Sequence, residues 1–226
     1  MTRDVLSWAF IQLKPGTGKT TSAVFFAHAL KAAGRNPLLI DADKAQSALR
    51  WSDQAGGFAF PIVGLAVANV HQQVPGLLRQ MPDIDSLVFD TPQAEDHAPI
   101  VRSVMRVGRR ACWVLPVAPS GVEVDRMSPI KTHIEDGQSL RHDEDGPADV
   151  VVMLNRTNRP VKTAGGPDAD VRAALTNPKR GFFVLDTQIA HNDSLYRQTF
   201  GTVPEIDQTT FPALADELLK RQEVAA

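Results

Sequence analysis

Seven short apolar runs alternate with longer amphipathic stretches along the 226 residues, and this alternation narrows the available folds more than any other feature. The runs cover residues 6–12, 37–40, 62–66, 86–89, 111–117, 150–154 and 182–185. Each is apolar nearly throughout, as a strand covered on both faces must be, whereas a half-exposed strand would alternate. Helical periodicity fills the gaps at residues 19–33, 46–54, 69–79, 98–108, 122–135, 168–176 and 211–223. Strand and helix repeated in this way predict an α/β fold, a mostly parallel twisted sheet with helices on both faces. A chain of this length buries roughly 70–75% of its unfolded surface, so it needs no disulfide or metal staple. The single cysteine, Cys112, excludes a disulfide scaffold and suits a reducing cytoplasm. The formal charge of −2 excludes a uniformly basic coat but not a local patch. No signal-peptide pattern reads at residues 1–11, and no run of about 18 apolar residues occurs. The expectation is one cytoplasmic domain over residues 1–226, without an N-terminal helix-turn-helix, and with surface excursions at 137–147 and 159–167.

The first run is followed by Leu13-Lys14-Pro15-Gly16-Thr17-Gly18-Lys19-Thr20-Thr21, which opens directly into a helical pattern. Glycines expose backbone N–H groups to a phosphate because no Cβ intervenes, and the positive end of the helix dipole adds to the attraction. Lys19 is placed to reach the outer phosphates of a nucleotide and the Thr20 hydroxyl to ligate Mg²⁺. The candidate nucleotide-binding residues are therefore Pro15, Gly16, Thr17, Gly18, Lys19, Thr20 and Thr21. Pro15 lacks an N–H, so the amide donors run from Gly16 onward. Position 13 is Leu where the pattern G-x-x-x-x-G-K-[ST] starts with Gly. Further on, Ser86-Leu87-Val88-Phe89-Asp90-Thr91-Pro92 sets an acid at the end of an apolar strand, where ligands gather in such sheets and where Asp90 can hold Mg²⁺ through water.

With Lys14 five residues before Lys19, the loop resembles the deviant Walker A signature K-G-G-x-G-K-[ST]-[ST] of the ParA/MinD group of P-loop ATPases, with Pro15 at a glycine position. Leu38-Leu39-Ile40-Asp41-Ala42-Asp43 resembles the group's second acidic motif, departing at Lys44-Ala45 where Pro-Gln is usual. Gln46-Ser47-Ala48 and Trp51-Ser52 are similar to the small plasmid partition members, Val114 to Ser120 to the P-V-x-P-S segment, and Val151-Val152-Met153-Leu154-Asn155-Arg156 to an L-N-[KR] strand end. The stretch from Thr187 to Gly201 follows, with Ala190-His191-Asn192 replacing the usual Pro-Arg. The resemblance implies ATP and Mg²⁺ as ligands, with Thr20, Asp41 and Asp90 around the metal and Asn155 and Arg156 at the base. It also implies catalytic roles for Lys14, Lys19 and Asp43. Lys14 would cross to the nucleotide of a facing subunit as an arginine finger does, giving an ATP-dependent homodimer. Without that pattern Lys14 reads as a solvated surface charge.

The function implied is a partition ATPase. Its ATP dimer would bind DNA non-specifically on the bacterial nucleoid and be released by hydrolysis that a ParB-like centromere- or cargo-binding protein stimulates. Residues 156–180 carry six bases and two acids, a net of +4, whereas residues 135–149 carry six acids and one Arg, a net of −5. Candidate DNA contacts are Arg159, Lys162, Lys179, Arg180, Arg197, Lys220 and Arg221, and a charge cluster of this kind is equally a solvated face. Alternatives are a metabolic ligase of the dethiobiotin synthetase type, a nucleotide-dependent scaffold, and a MinD-like positioning ATPase. The last calls for a basic amphipathic tail, but residues 211–226 mix Asp216, Glu217 and Glu223 with Lys220 and Arg221, so no membrane partner is expected. A nitrogenase-reductase relative is excluded by the lack of cluster cysteines.

Overall fold

The computed structural model of the chain describes residues 5–125, 127–157, 168–196 and 199–224. Its strands are β1 (Leu6–Phe10), β2 (Pro37–Asp41), β3 (Ile62–Gly64), β4 (Ser86–Asp90), β5 (Arg110–Val117), β6 (Asp149–Thr157), β7 (Phe183–Val184) and β8 (Ile189–Ala190). They form one parallel sheet in the order β3-β2-β4-β1-β5-β6-β7, with β8 also on β6. Every residue of β1, β2 and β4 is buried, which is why these segments read as unbroken apolar runs.

Successive residues on a strand still point to opposite faces, and each face has its own core. Ala9, Ile40, Phe89, Trp113 and Leu154 lie in one, covered by α3 (Val70–Gln80), α4 (Ala94–Met105), α6 (Met127–Ser139) and α7 (Ala169–Thr176). Trp8, Phe10, Leu39, Val88 and Val114 lie in the other, under α1 (Lys19–Ala32), α2 (Ser47–Gln54) and α9 (Phe211–Val224), the last following the short α8 (Asp193–Tyr196). Residues Ser22 to Leu30 of α1 are buried without interruption, because this helix rests on β1, β2 and β4 while α2 and α9 pack against it from outside. The apolar face of α9, with Phe211, Leu214, Ala215 and Leu218, is thereby committed to the body. No helix among the described residues is long and apolar enough to cross a membrane. Cys112 belongs to this second core, where burial pushes its thiol far above the ordinary range.

Three elements depart from the sequence pattern for local reasons. The pattern starts the fourth helix at residue 98, but α4 begins at Ala94, with non-helical His97 (φ −129°, ψ 35°) separating its first turn from the rest. Pro99 has no N–H to give to the Glu95 carbonyl, so the periodicity is legible only beyond it. The single helix expected over 122–135 is α5 (Gly121–Asp125) followed by α6. α6 runs on into the expected excursion at 137–147, because Gly137 lets the helix approach Met105 and Trp113 with no room for a Cβ.

His28 of α1 is 7% exposed, lies edge-on to Phe58 and Phe60 at 4.6 and 4.7 Å, and has no partner at Nε2. Burial lowers its pKa from 6.5 to about 4. The folded state therefore binds fewer protons than the unfolded one between these values, and stability is complete above pH 6.5 and lost as pH falls toward 4. About 2 kcal/mol is expected to be lost by pH 5. His28→Leu should lack this component when urea midpoints are compared at pH 5 and 7, and equal losses in both proteins would rule the explanation out.

Candidate functional site

The site is built where β1, β2 and β4 end. The register sets Phe10 and Asp41 beside Asp90 in one row, and the ends are stitched by Ala42 N–H to the Asp90 carbonyl (2.9 Å) and by the Thr91 hydroxyl to the Phe10 carbonyl (2.7 Å). The glycine-rich loop leaves β1 at this row and enters α1. Gly16 (φ 74°) and Gly18 (φ 90°) hold left-handed conformations that turn the loop back on the helix. Ser22 is the first residue past the loop whose amide is engaged, donating to the Gly18 carbonyl at 2.9 Å, and no hydrogen bond to a described residue engages the amides from Gly16 to Thr21. Amides left open in the loop and at the start of the helix form a cradle for an anion.

Lys19 is 7% exposed and its Nζ donates to the Lys14 carbonyl at 3.2 Å, so its ammonium closes over its own loop. Burial lowers its pKa, and the carboxylates of Asp90 and Asp43 oppose this. Asp90 is fully buried, and among the described residues no hydrogen bond of good geometry reaches either of its oxygens, although the Thr20 hydroxyl lies close enough to act on its charge. Burial above all, and then the neighbouring Asp41, raise it to about 8, while Thr20 and Lys19 favour its ionised form. A buried carboxyl left bare beside a threonine hydroxyl and a lysine is the donor set that suits Mg²⁺ arriving with a phosphate. Among the described residues no group of three or more His, Cys, Asp or Glu could hold a metal ion by itself.

Asp41 is also buried, but its oxygens are engaged. Oδ1 accepts from Asp43 N–H (3.1 Å), and Oδ2 accepts from Ala48 (2.9 Å) and Leu49 (3.1 Å) in the first turn of α2. It caps α2 from the end of β2 and so fixes the turn that carries Asp43. Asp43 is half-buried, and its Oδ1 accepts from Ala45 N–H (3.0 Å).

A cavity of about 480 Å³ opens beside the loop. Asn155 and Arg156 at the end of β6 line it together with Ile189, His191, Tyr196 and Phe211, none of which the sequence patterns single out as lining residues. Asn155 Nδ2 donates to the Thr17 carbonyl (3.0 Å) and stands where a Cβ on Gly18 would be, so Asn155 also braces the loop. A larger cavity of about 720 Å³ lies at the other end of the sheet around Arg110, Asp149 and Arg221. It contains none of the loop residues, so chemistry rather than size identifies the site.

Lys14 is on the outer side of the loop, and its Nζ pairs with Glu95 Oε2 of its own chain at 3.1 Å. The first turn of α4 is attached to the loop by two further bonds, Ala94 N–H to the Gln12 carbonyl (3.0 Å) and Glu95 N–H to the Leu13 carbonyl (3.3 Å).

The candidate DNA contacts divide. Lys179 is exposed. Arg180 donates to the Ala174 carbonyl, Lys220 pairs with Asp216 at 2.7 Å, and Arg221 grips Asp149 with two bonds of 2.8 and 2.9 Å while covering the Phe183 ring. Lys179 and Arg180 lead into β7 and Arg221 meets the start of β6, so this region is at the opposite end of the sheet from the loop. Arg159, Lys162 and Arg197 lie outside the described residues.

No protein-family model matches the chain, and no curated protein matches it. Solved structures do. The ATP complex of a Cyanothece McdA variant superposes with a TM-score of 0.67 at 15% identity, covering 98% of this chain and 96% of that one. Cobyrinic acid a,c-diamide synthase from Mycobacterium smegmatis, with ADP and magnesium bound, gives 0.69 at 14% identity, with coverage of 98% and 97%. A plasmid partition protein of Borrelia burgdorferi bound to AMPPNP gives 0.65 at 14% identity, with coverage of 97% and 100%. Along nearly its whole length, therefore, this chain carries the fold of the ParA/MinD-type P-loop ATPases.

Proposed function

We propose that this protein is a Mg²⁺-dependent ATPase of the positioning type, which pairs with a second copy when ATP is bound, holds DNA non-specifically as that dimer and moves a plasmid or similar cargo. The observation that carries the reading is the bare, buried Asp90 carboxyl beside Thr20 and Lys19, under the open loop amides. The amides of Gly16 to Thr21 bind the phosphates, Lys19 leaves the Lys14 carbonyl to meet them, and Thr20 and Asp90 hold the metal. Mg²⁺ bound with the nucleotide supplies charge neutralisation on the transferring phosphoryl group. Asp41 fixes the turn on which Asp43 orients the attacking water. Lys14 reaches the partner's nucleotide and stabilises charge developing there. Asn155 and Arg156 border the base.

Support for the positioning role comes from Lys14 in the loop and from the likeness to McdA and to the Borrelia partition protein. The cobyrinic acid synthase shares the fold, so a small-molecule ligase is the competing reading. DNA retention separates the two. Binding to a non-specific duplex is expected with ATP and not with ADP or without nucleotide, and it should weaken steeply with salt because each phosphate contact releases about 0.9 of a counterion. Retention indifferent to nucleotide, or none at low salt, would refute the partition reading. A ParB-like partner is expected to accelerate hydrolysis and end retention.

A further inference from the structure

We propose that Glu95 is a positioning residue for Lys14, and that the first turn of α4 is a strap which keeps this lysine on its own subunit until the dimer forms. The inference rests on the reading of Lys14 as a residue that acts across the dimer. Two hydrogen bonds and an ion pair fasten the turn to the loop: the amides of Ala94 and Glu95 donate to the Gln12 and Leu13 carbonyls, and the Lys14 ammonium pairs with the Glu95 carboxylate. On its other side the turn keeps His97 N–H on the Gln93 carbonyl (3.1 Å) but loses regular helix geometry. His97 leaves helical geometry, and Pro99 cannot donate to the Glu95 carbonyl. The turn thus belongs mechanically to the phosphate loop more than to α4.

The strap follows directly from β4, only four residues after Asp90, so it joins the metal-binding strand to the loop whose outer lysine it holds. The Lys14 carbonyl accepts from Lys19 while its ammonium is on Glu95, so both lysines are folded onto the same subunit. Phosphates entering the loop draw Lys19 away from that carbonyl, and a facing nucleotide competes with Glu95 for the Lys14 ammonium. Both side chains of the pair are about half exposed, 46% and 56%, so the restraint is weak enough for a nucleotide to break.

The test combines Glu95→Gln and Lys14→Gln, singly and together, in the full chain. In the nucleotide-free protein, amine acylation followed by mass spectrometry should label Lys14 faster in Glu95→Gln while Lys31 labels equally. In sedimentation with a non-hydrolysable ATP analogue and Mg²⁺, losing a half-exposed pair should favour release by roughly two- to five-fold per protomer. Because both protomers give up a pair, the dimer constant should rise by roughly four- to twenty-five-fold, and the gain should shrink in high salt. Glu95→Gln should change nothing in the Lys14→Gln background. Unchanged Lys14 labelling, or faster labelling without tighter association, would overturn the strap. So would a Glu95→Gln effect that survives loss of Lys14. If Lys14→Gln alone associates and turns over like wild type, the cross-subunit reading fails as well, and this arm identifies that cause.

Discussion

Asp90→Asn is expected to lower Mg²⁺-dependent ATP turnover by roughly 10²–10³-fold, the loss typical when one preorganised charge stabiliser is removed. The same substitution should leave the nucleotide-free protein at least as stable as wild type. Asp90 is raised from 3.8 to about 8 by burial and by Asp41, so the folded state holds a proton that the unfolded chain has already released between these values. Its stabilising contribution is therefore complete below pH 3.8 and disappears as pH rises through 8. From pH 5.5 to 8.5 the wild type should lose about 3 kcal/mol through this group, and the neutral Asn variant should not. Urea midpoints of both proteins at these two pH values measure the difference, in which the opposing contribution of His28 cancels. Parallel pH profiles would show that the carboxyl is not strained as described. The expected trade, activity lost and stability gained, is what separates a carboxyl kept for a metal from one kept for the fold.

Lys14→Gln should lower turnover by roughly 10³-fold, the lower range for a charge supplied across an interface. ATP affinity should stay within about two-fold of wild type, because the loop amides, Lys19 and Thr20 are untouched. Folding should change by less than about 1 kcal/mol, since the Glu95 partner lost is a half-exposed carboxylate. Equilibrium binding of a fluorescent ATP analogue, sedimentation with and without ATP, and phosphate release test the three parts. Normal hydrolysis by the variant would return Lys14 to the status of a surface charge, and lost ATP affinity would place it inside its own site.

Much of the fold was legible because both faces of the sheet are covered. All seven apolar runs are strands, since a residue such as Ile40 or Val88 meets a core whichever way it points. The glycine-rich loop was legible for a different reason, as positive φ at Gly16 and Gly18 and an acid at the end of β4 leave direct marks on residue choice. What escaped depends on contacts between distant segments. The pairing of Glu95 with Lys14 has no periodicity to betray it, and Pro99 hides the turn that carries Glu95. Asp41 looks like a second metal ligand in the motif, yet three backbone amides occupy its oxygens, a use that appears only when α2 is folded beneath it. Arg221 reads as part of a basic surface, but Asp149 at the start of β6 neutralises it. β8 is two residues long, too short to leave a pattern, although it supplies Ile189 to the cavity wall.

The unbroken burial of α1 from Ser22 to Leu30 has a consequence for the proposed nucleotide response. A helix walled in by the sheet, α2 and α9 cannot tilt or slide without opening a core, so the element that grips the phosphates is the anvil of the molecule. On the proposed reading, a bound nucleotide is then sensed through the light parts beside this helix, the turn after β2 that bears Asp43 and the turn after β4 that bears Glu95. Substitutions in the anvil decide whether there is a protein at all, and on the same reading substitutions in the two turns set its clock.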